Sequence, residues 1–235
     1  MSELQPFVSI LTPTFNRRLF IPQYLRYIRS QNYKGPIEVI IADDGDLPIG
    51  DLVEKDTIIR YIRLNERKPL GYKRNLVAAE ARGDILINMD DDDYYPPSRI
   101  KHAVNALLTS QKMIAGSSQC FFYDTSHQII TVSGPFGPNH ATAGSMAFFK
   151  EYTKNHAFSN EAHAQEEPIF TNNFTEPMVQ LDPRLTMLVI QHQKNTWDKS
   201  KSATKKINMK PQDFIKSQDD RRFYKKLFAL NNEIR

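Results

Sequence analysis

The segment GYKRNLVAAEARGDILINMDDDDYYPP, residues 71–97, decides the fold, because it joins a helix, a buried strand and a run of four aspartates. GYKRNLVAAEARG (71–83) has helical spacing and ends at Gly83, which predicts a helix closed by a glycine cap. DILINMD (84–90) is a short apolar run, typical of a strand that is buried on both faces. Because Asp90 to Asp93 follow at once, the sequence predicts concentrated negative charge at the end of a core strand.

The rest of the first half continues this alternation of strands and helices. Strands are predicted at FVSILT (7–12), IEVIIADDG (37–45) and TIIRYIRL (57–64), and helices at LFIPQYLRYIRSQ (19–31) and PSRIKHAVNALLTS (97–110). This order predicts an α/β fold with a mostly parallel central sheet flanked by helices. In such sheets ligands bind beyond the carboxyl ends of the strands. The polar clusters TPTFNR, DDG and DDDD each follow a strand, so we expect them to form one site.

The second half of the chain is less regular. MIAGSSQCFFYD (113–124) and QIITVSG (128–134) predict a strand pair, followed by a Gly- and Pro-rich loop at 134–144. MVQLDPRLTMLVIQH (178–192) predicts a hairpin that turns at Asp182–Pro183. Residues 211–232 predict one amphipathic helix. The composition changes after His192. We therefore expect a single catalytic domain over residues 1–195, and a basic linker and helix over residues 196–235 that pack on it or cap it.

Composition and charge narrow the class of protein. The net charge is +4, and the excess of Lys and Arg lies in the last quarter of the chain. Such a positive charge favours binding of nucleic acid, an anionic membrane or a phosphorylated small molecule. No nucleic-acid-binding motif is found, so we expect no nucleic-acid partner, whereas membrane-surface binding by the basic tail stays an alternative. A single cysteine, no apolar run of membrane-spanning length and no signal-peptide pattern predict a soluble cytoplasmic protein.

The aspartate run has two interpretations. A solvated acidic turn, or carboxylates favoured by the dipole of the next helix, would need no ligand. Four adjacent carboxylates are better explained by a bound cation, and their hard oxygens suit Mg²⁺ or Mn²⁺. Such an ion keeps positions for a substrate diphosphate, and Lys73 and Arg74 open a helix where phosphate can bind. With Asp43 or Asp44 able to bind a base or ribose, the sequence predicts a nucleotide-linked substrate.

In their order and spacing these segments resemble family 2 glycosyltransferases of the glycosyltransferase A fold, over roughly residues 5–195. The likeness rests on VSILTPTFNR, EVIIADDG and the 71–97 segment, and it implies a single Rossmann-like domain that binds nucleotide-diphospho-sugars. Asp90 and Asp92 match the outer residues of the family's DxD element, which makes Asp92 the expected direct metal ligand. The resemblance assigns the donor nucleotide to Thr12, Pro13, Thr14, Asp43, Asp44, Lys73, Arg74, Asp90 and Asp91.

The resemblance also implies roles in the second half of the chain. TAGSMAFFK resembles the family's glycine-containing loop under the donor sugar, with Gly144 and Ser145 at its centre. Glu166 and Glu167 fall at the family's acidic pair, whose second member, usually aspartate, is the base. Glu167 is therefore the first candidate for the catalytic base and Glu166 the alternative.

The last element of the resemblance is HQKNTW, residues 192–197, which is similar to the family's C-terminal histidine element. It implies that His192 is a metal ligand together with Asp92 and Asp90. A lone histidine after an apolar strand is equally consistent with a packed residue, and that interpretation stays open.

Together these features predict a metal-dependent, inverting glycosyltransferase that uses Mn²⁺ or Mg²⁺. The expected donor is a nucleotide-diphosphate sugar, specifically a UDP-sugar, and the expected acceptor is a hydroxyl of a glycan or another molecule. Two alternatives remain: a nucleotide-sugar hydrolase or nucleotidyltransferase, and a non-catalytic sugar- or nucleotide-binding domain of the same fold. We expect loops 134–144 and 155–175 to select sugar and acceptor; His140, in the first loop, is either solvated or in contact with substrate.

Overall fold

The computed structural model describes residues 5–192, 195 and 204–232, without the side chains of 227–232. The strands are β1 (Val8–Thr14), β2 (Ile37–Asp43), β3 (Ile59–Arg63), β4 (Ile85–Asn88), β5 (Ile114–Gly116), β6 (Cys120–Asp124), β7 (Ile129–Ser133), β8 (Ala147–Phe149), β9 (Met178–Gln180), β10 (Leu188–Gln191) and β11 (Lys205–Lys206). The helices are α1 (Ile21–Arg29), α2 (Gly50–Val53), α3 (Leu70–Glu80), α4 (Arg99–Ser110), α5 (Glu167–Phe170), α6 (Pro183–Thr186), α7 (Pro211–Phe214) and α8 (Gln218–Asn232). Within the described residues, none of these helices combines the length and the hydropathy that crossing a bilayer requires.

A large central sheet confirms the predicted α/β fold. Its strands lie in the order β3-β2-β1-β4-β8-β5-β9. The first four run parallel, β8 is antiparallel to β4 and β5, and β9 is parallel to β5. Every residue of β1 and β4 is buried, which explains why both strands are rich in Val, Ile and Leu.

The two faces of the central sheet bury different cores. Ile10 packs with Tyr24 of α1 and Val104 of α4 on one face. Leu11, the next residue along β1, packs with Val77 of α3 on the other face. Neighbouring side chains of a strand point to opposite faces, so both faces of the sheet are apolar and both are covered by helices. The carboxyl edge of the sheet is left for the polar clusters.

The predicted glycine cap of α3 is wrong. The helix ends at Glu80, the backbone of Ala81 is already extended, and Gly83 does not adopt the left-handed conformation of such a cap. A Cβ at Gly83 would lie 2.6 Å from the Ser9 nitrogen and 2.8 Å from the Phe7 carbonyl oxygen. Gly83 is therefore needed because the chain passes so close to the backbone at the start of β1.

The predicted hairpin at Asp182–Pro183 is also wrong. β9 belongs to the central sheet, whereas β10 belongs to a second sheet with the order β10-β6-β7-β11. Between them the carboxylate of Asp182 accepts a hydrogen bond from the Arg184 nitrogen at 2.8 Å, and Pro183 occupies the first turn of α6. This capped turn redirects the chain, because Pro is well tolerated at a helix start but cannot donate within a sheet. The predicted strand pair is present as β6 and β7, which are antiparallel, but the 113–124 segment also contains β5, which belongs to the central sheet.

The single helix predicted at 211–232 is interrupted after Phe214. Ile215 is extended and fully buried, and the ring of Phe214 packs on Phe121 of β6 with centroids 4.8 Å apart. Because the chain leaves the helix after Phe214, the side chains of Phe214 and Ile215 both enter the core. A continuous helix would point these two neighbouring side chains in different directions. The division of the chain at residues 195 and 196 stays a prediction, since 196–203 and 233–235 lie outside the described residues.

Helix α8 packs on α1. The hydroxyl groups of Tyr224 and Tyr27 are 2.8 Å apart and both rings are buried. Asp220 accepts hydrogen bonds from Gln23 at 2.7 Å and Arg26 at 3.1 Å. Helix α8 is thus held on α1 by aromatic and ionic contacts, whereas β11, earlier in the C-terminal segment, pairs with β7 of the second sheet.

Candidate active site

The polar clusters meet at the carboxyl edge of the central sheet, where they line two adjoining cavities. The aspartate cavity is lined by Pro13, Thr14, Arg17, Lys73, Asp90, Asp91, Asp92, Asp93 and Asn195 among others. The glutamate cavity is lined by Thr142, Ala143, Gly144, Glu166, Glu167 and Met187 among others. Leu70, Arg74, Asp90 and Asp93 line both, so the two cavities share a wall that carries one cation and two carboxylates.

The four aspartates point to different partners, which reduces their mutual repulsion. Asp90 pairs with Arg74, and Asp93 accepts a hydrogen bond from the backbone nitrogen of Ile190 at 2.8 Å. Asp91 is buried and accepts a hydrogen bond from the Thr14 hydroxyl. Burial, followed by the charge of Asp92, raises the pKa of Asp91 well above its ordinary value. The run is therefore neither a solvated turn nor the start of a helix, since α4 begins only at Arg99.

Asp92 is the centre of a small polar cluster. Its Oδ2 atom accepts hydrogen bonds from Arg17 Nε at 3.2 Å and Asn195 Nδ2 at 3.3 Å, and it lies 3.1 Å from His192 Nε2. The His192 ring packs against Phe20 with centroids 4.6 Å apart. The structure thus brings Asp92 and His192 together, as the sequence predicted, while Arg17 and Asn195 were missed. Residues 193, 194, 196 and 197 of the histidine element lie outside the described residues.

No three His, Cys, Asp or Glu side chains within residues 5–192, 195 and 204–226 are grouped closely enough to hold a metal ion by themselves. The side-chain atoms available as metal ligands nevertheless fit a divalent cation that is bound by few protein residues. Asp92, which lines the aspartate cavity, offers a carboxylate oxygen, and the Nε2 atom of His192 lies 3.1 Å from that carboxylate. A carboxylate with an imidazole suits Mn²⁺, and such a site leaves coordination positions for phosphate oxygens.

Arg74 links the two cavities through ion pairs. Its Nε atom lies 2.6 Å from Glu166 and its Nη2 atom 3.1 Å from Asp90, and the Arg74 and Glu166 side chains are only 3% and 4% exposed. Burial disfavours the Arg74 charge, but Asp90 and Glu166 outweigh that effect and raise the pKa of the guanidinium. Nη1 has no hydrogen-bond partner among the described residues, which leaves one buried donor for an anionic ligand.

The two glutamates of the predicted acidic pair differ in environment. Glu166 is held by Arg74, whereas Glu167, the first residue of α5, accepts a hydrogen bond from the Ala143 nitrogen at 2.9 Å. Burial, and next the charge of Glu166, raise the pKa of Glu167. The raised pKa means that Glu167 binds a proton more readily than an ordinary glutamate does.

The acids after β2 hold loops together. Asp43 accepts hydrogen bonds from the Gly45 and Ile49 nitrogens and from the Tyr61 hydroxyl. Asp44 lies 2.5 Å from Lys73 Nζ, which also donates to the Thr14 carbonyl at 2.9 Å. Burial lowers the pKa of Lys73, although Asp44 opposes that effect. These side chains connect the ends of β1, β2 and α3, and so position the wall of the aspartate cavity.

Two of the predicted site residues point into the core. Thr12 is fully buried, and its hydroxyl bonds with Tyr24 and donates to the Met89 carbonyl at 3.0 Å. Ser145 is also fully buried, and its hydroxyl donates to the Thr142 carbonyl at 2.7 Å. In contrast, a Cβ added to Gly144 would lie 2.9 Å from Asp90 Oδ2. The glycine therefore allows the 142–145 turn to approach the aspartates, while Ser145 stabilises that turn from inside.

Arg99 supports this turn and carried no functional signal in the sequence. It is fully buried, and its Nη2 atom donates to the carbonyls of Ser145 at 2.9 Å, Met146 at 3.0 Å and Asn88 at 3.3 Å. Burial lowers the pKa of Arg99 to about 10. The side chain thus joins the end of β4, just before the aspartates, to the turn that contains Gly144.

Comparison with known proteins adds a family and a fold. The family model described as Glycosyl transferase family 2 matches residues 9–163. An uncharacterized glycosyltransferase of Haemophilus influenzae is 23% identical over 133 residues, which are 54% of this chain and 53% of that protein. The chain therefore spans only about half the length of this curated relative.

Two solved structures share the fold. A mannosyltransferase, PcManGT from Pyrobaculum calidifontis in complex with GDP-Man and Mn²⁺, superposes with a TM-score of 0.65 at 17% identity, over 83% of this chain and 59% of that one. A fragment of TarS from S. aureus in complex with UDP-GlcNAc gives a TM-score of 0.64 at 17% identity, over 88% of this chain and 63% of that one. At this identity the likeness establishes the architecture alone.

Proposed function

The chain belongs to glycosyltransferase family 2, and on this basis we propose that it transfers a sugar from a nucleotide-diphosphate donor to an acceptor hydroxyl, with inversion at the anomeric carbon. The expected donor is a UDP-sugar and the expected cofactor is Mn²⁺ or Mg²⁺. One observation carries the proposal: Glu167, a carboxylate with a raised pKa, shares a cavity with Arg74 and Asp90. A base and groups able to bind a diphosphate therefore face the same space.

The donor diphosphate is assigned to the aspartate cavity. Asp92 and His192 would hold the divalent ion, with Asp90 beside them; when bound, the ion neutralises negative charge on the diphosphate as a Lewis acid. Arg74 contributes its buried guanidinium at the junction of the two cavities, including the Nη1 donor, which has no partner in the part of the chain that the structure describes. A preorganised cation in a buried site stabilises the charge that develops on a leaving diphosphate. The nucleotide sugars bound in the two related structures support this assignment.

Glu167 is proposed as the general base. It accepts the proton of the acceptor hydroxyl as that oxygen attacks the anomeric carbon on the side opposite the departing diphosphate, so one displacement inverts the configuration. Glu166 is less suited to this task, since its carboxylate is fixed by Arg74 at 2.6 Å. We assign Glu166 the role of orienting Arg74.

The pH dependence of transfer follows from Glu167. The base must be deprotonated to accept a proton, and burial raises its pKa, so activity is lost as the pH falls through that raised value. We expect the acidic limb of kcat/KM for the acceptor to lie above about pH 4.3, the value of an ordinary glutamate. Rates measured across the acidic range would show this limb. A profile that stays flat down to that pH would exclude Glu167 as the titrating base.

The metal requirement is tested by binding of UDP measured by calorimetry, with and without Mn²⁺. We expect Asp92→Asn to weaken Mn²⁺-dependent binding of UDP by at least about tenfold, because even residues that only orient metal ligands change affinity by 10–100-fold. Asp219→Asn is the matched control, since it removes the same charge from a side chain that is 64% exposed on α8. An Asp92→Asn protein that binds UDP with unchanged Mn²⁺ dependence would disprove the assignment.

A further inference from the structure

Three aromatic rings from two loops form a stack outside the groups assigned above. The His140 ring lies 4.6 Å from that of Phe174, at an interplanar angle of 27°, and 4.8 Å from that of Phe136. Phe136 is 60% exposed, although large apolar side chains are usually buried. The stack therefore presents an aromatic surface to solvent.

The backbone beneath Phe174 is held in an unfavourable conformation. Asn172, Asn173 and Phe174 have φ angles of 48°, 55° and 60°, so three consecutive non-glycine residues are left-handed. This conformation is uncommon for asparagine and rare for a bulky residue such as phenylalanine. The Asn173 nitrogen donates to the Pro168 carbonyl at 2.6 Å, which ties the turn to α5. Strain of this kind persists where the surroundings enforce it, and it concentrates at functional sites.

The other loop is held in place by the central sheet. The side-chain amide of Gln180 in β9 donates to the carbonyls of Pro138 at 2.8 Å and His140 at 3.0 Å. The imidazole of His140 has no hydrogen-bond partner for Nδ1 among the described residues, so the ring is held by its aromatic neighbours rather than by polar contacts. Burial lowers the pKa of His140, which keeps the ring neutral at pH 7. The stack is thus an uncharged surface.

The stack lies on two chain segments that also contribute residues to the glutamate cavity. The loop that carries Phe136 and His140 leads directly into Thr142 and Ala143, which line that cavity, and the loop that carries Phe174 follows α5, whose first residue is Glu167. The hydrogen bond from the Ala143 nitrogen to Glu167 joins the two segments. The aromatic rings and the proposed base therefore belong to the same two joined segments.

We propose that Phe136, His140 and Phe174 form the acceptor-binding surface, on which the C–H face of an uncharged acceptor sugar ring stacks. This inference rests on the proposed function, because the acceptor must lie next to Glu167. A sugar ring fits better than a charged ligand, since none of the three rings carries a charge and the apolar face of a pyranose packs against the face of an aromatic ring.

Saturation-transfer-difference NMR tests this surface with simple probes: methyl β-D-galactopyranoside, methyl β-D-glucopyranoside and the acyclic polyol sorbitol. We expect saturation transfer to the cyclic probes and little to sorbitol, which has hydroxyl groups but no ring face. Phe136→Ala should reduce the signal of the cyclic probes by about threefold to tenfold, the range for one aromatic contact. Phe136→Trp should restore it, because it keeps a flat ring. Leu47→Ala is the control, since Leu47 is 69% exposed and lies outside the stack.

Binding of UDP with Mn²⁺ separates this inference from the proposed function. If Phe136→Ala reduces the saturation-transfer signal of the cyclic probes but binds UDP like the wild type, the acceptor surface is supported. If it loses UDP instead, the rings stack on the donor base and the inference is overturned. The inference is also overturned if the cyclic probes give equal signals with the wild type and with Phe136→Ala. It is likewise overturned if sorbitol gives as strong a signal as the cyclic probes. A wild-type protein that fails to bind UDP would refute the proposed function, whereas Phe136-dependent binding of the cyclic probes would still support sugar binding at the rings.

Discussion

Replacing Glu167 by glutamine is expected to slow sugar transfer by about 10²–10⁴-fold, the usual contribution of a general base, while binding of UDP with Mn²⁺ stays at the wild-type level. Glutamine has nearly the shape of glutamate and can still accept the hydrogen bond from the Ala143 nitrogen, so the turn beside Gly144 should keep its position. It cannot accept a proton from the acceptor hydroxyl. The loss should therefore appear in kcat, measured as release of UDP in the presence of acceptor.

Two further variants make this result specific. Glu161→Gln changes an exposed glutamate in the same segment and should leave transfer unchanged. Glu166→Gln removes the partner of Arg74 and should weaken donor binding as well as transfer, because the guanidinium loses its orientation. If Glu167→Gln keeps wild-type turnover and only Glu166→Gln loses it, the assignments of the two glutamates must be exchanged.

The position of the site could be predicted from the sequence because it depends on where strands end. β1, β2 and β4 are buried on both faces, so each reads as a largely apolar run, and the polar cluster that follows the run marks the carboxyl edge of the sheet. The aspartate run and the acids after β2 could therefore be placed on one edge without coordinates. The family resemblance then brought in His192 and the two glutamates, which are distant in sequence from that edge.

The direction of individual side chains could not be predicted in the same way. Thr12 and Thr14 both lie in β1, yet only Thr14 lines the aspartate cavity, since Thr12 is directed into the core beside Tyr24. The two residues share one face of the strand, so they differ in depth: Thr14 ends β1 at the carboxyl edge, whereas Thr12 is covered by Tyr24. Ser145 and Gly144 differ for a related reason, because a tight turn sends neighbouring residues to opposite sides.

Contacts between segments that are distant in the sequence could not be predicted either. Arg99 appeared as one more basic residue in an amphipathic helix, and only the fold reveals that its guanidinium binds carbonyls of two separate segments. β9 and β10 were read as a hairpin because both are short and a proline separates them. Strands of three or four residues carry too little pattern to indicate which sheet they join.

Replacing Arg74 by methionine is expected to lower the free energy of unfolding by about 3–5 kcal/mol, the usual effect of removing one partner of a buried ion pair. Methionine fills much of the space of the arginine stem, so lost packing should contribute little. The loss comes instead from Glu166, which is 4% exposed and would keep a buried charge without the guanidinium that now lies 2.6 Å away. Against a typical total of about 5–15 kcal/mol, this change is large enough to measure by urea denaturation.

The double variant Arg74→Met with Glu166→Gln separates charge from packing. If the uncompensated carboxylate causes the loss, removing its charge should recover part of the stability, so the double variant unfolds at higher urea than Arg74→Met alone. Arg74→Lys keeps the charge but not the forked geometry that reaches Glu166 and Asp90 together, so it should lie between the wild type and Arg74→Met. A double variant no more stable than Arg74→Met would mean that the arginine stabilises the fold by packing, and the argument that it fixes Glu166 electrostatically would be wrong.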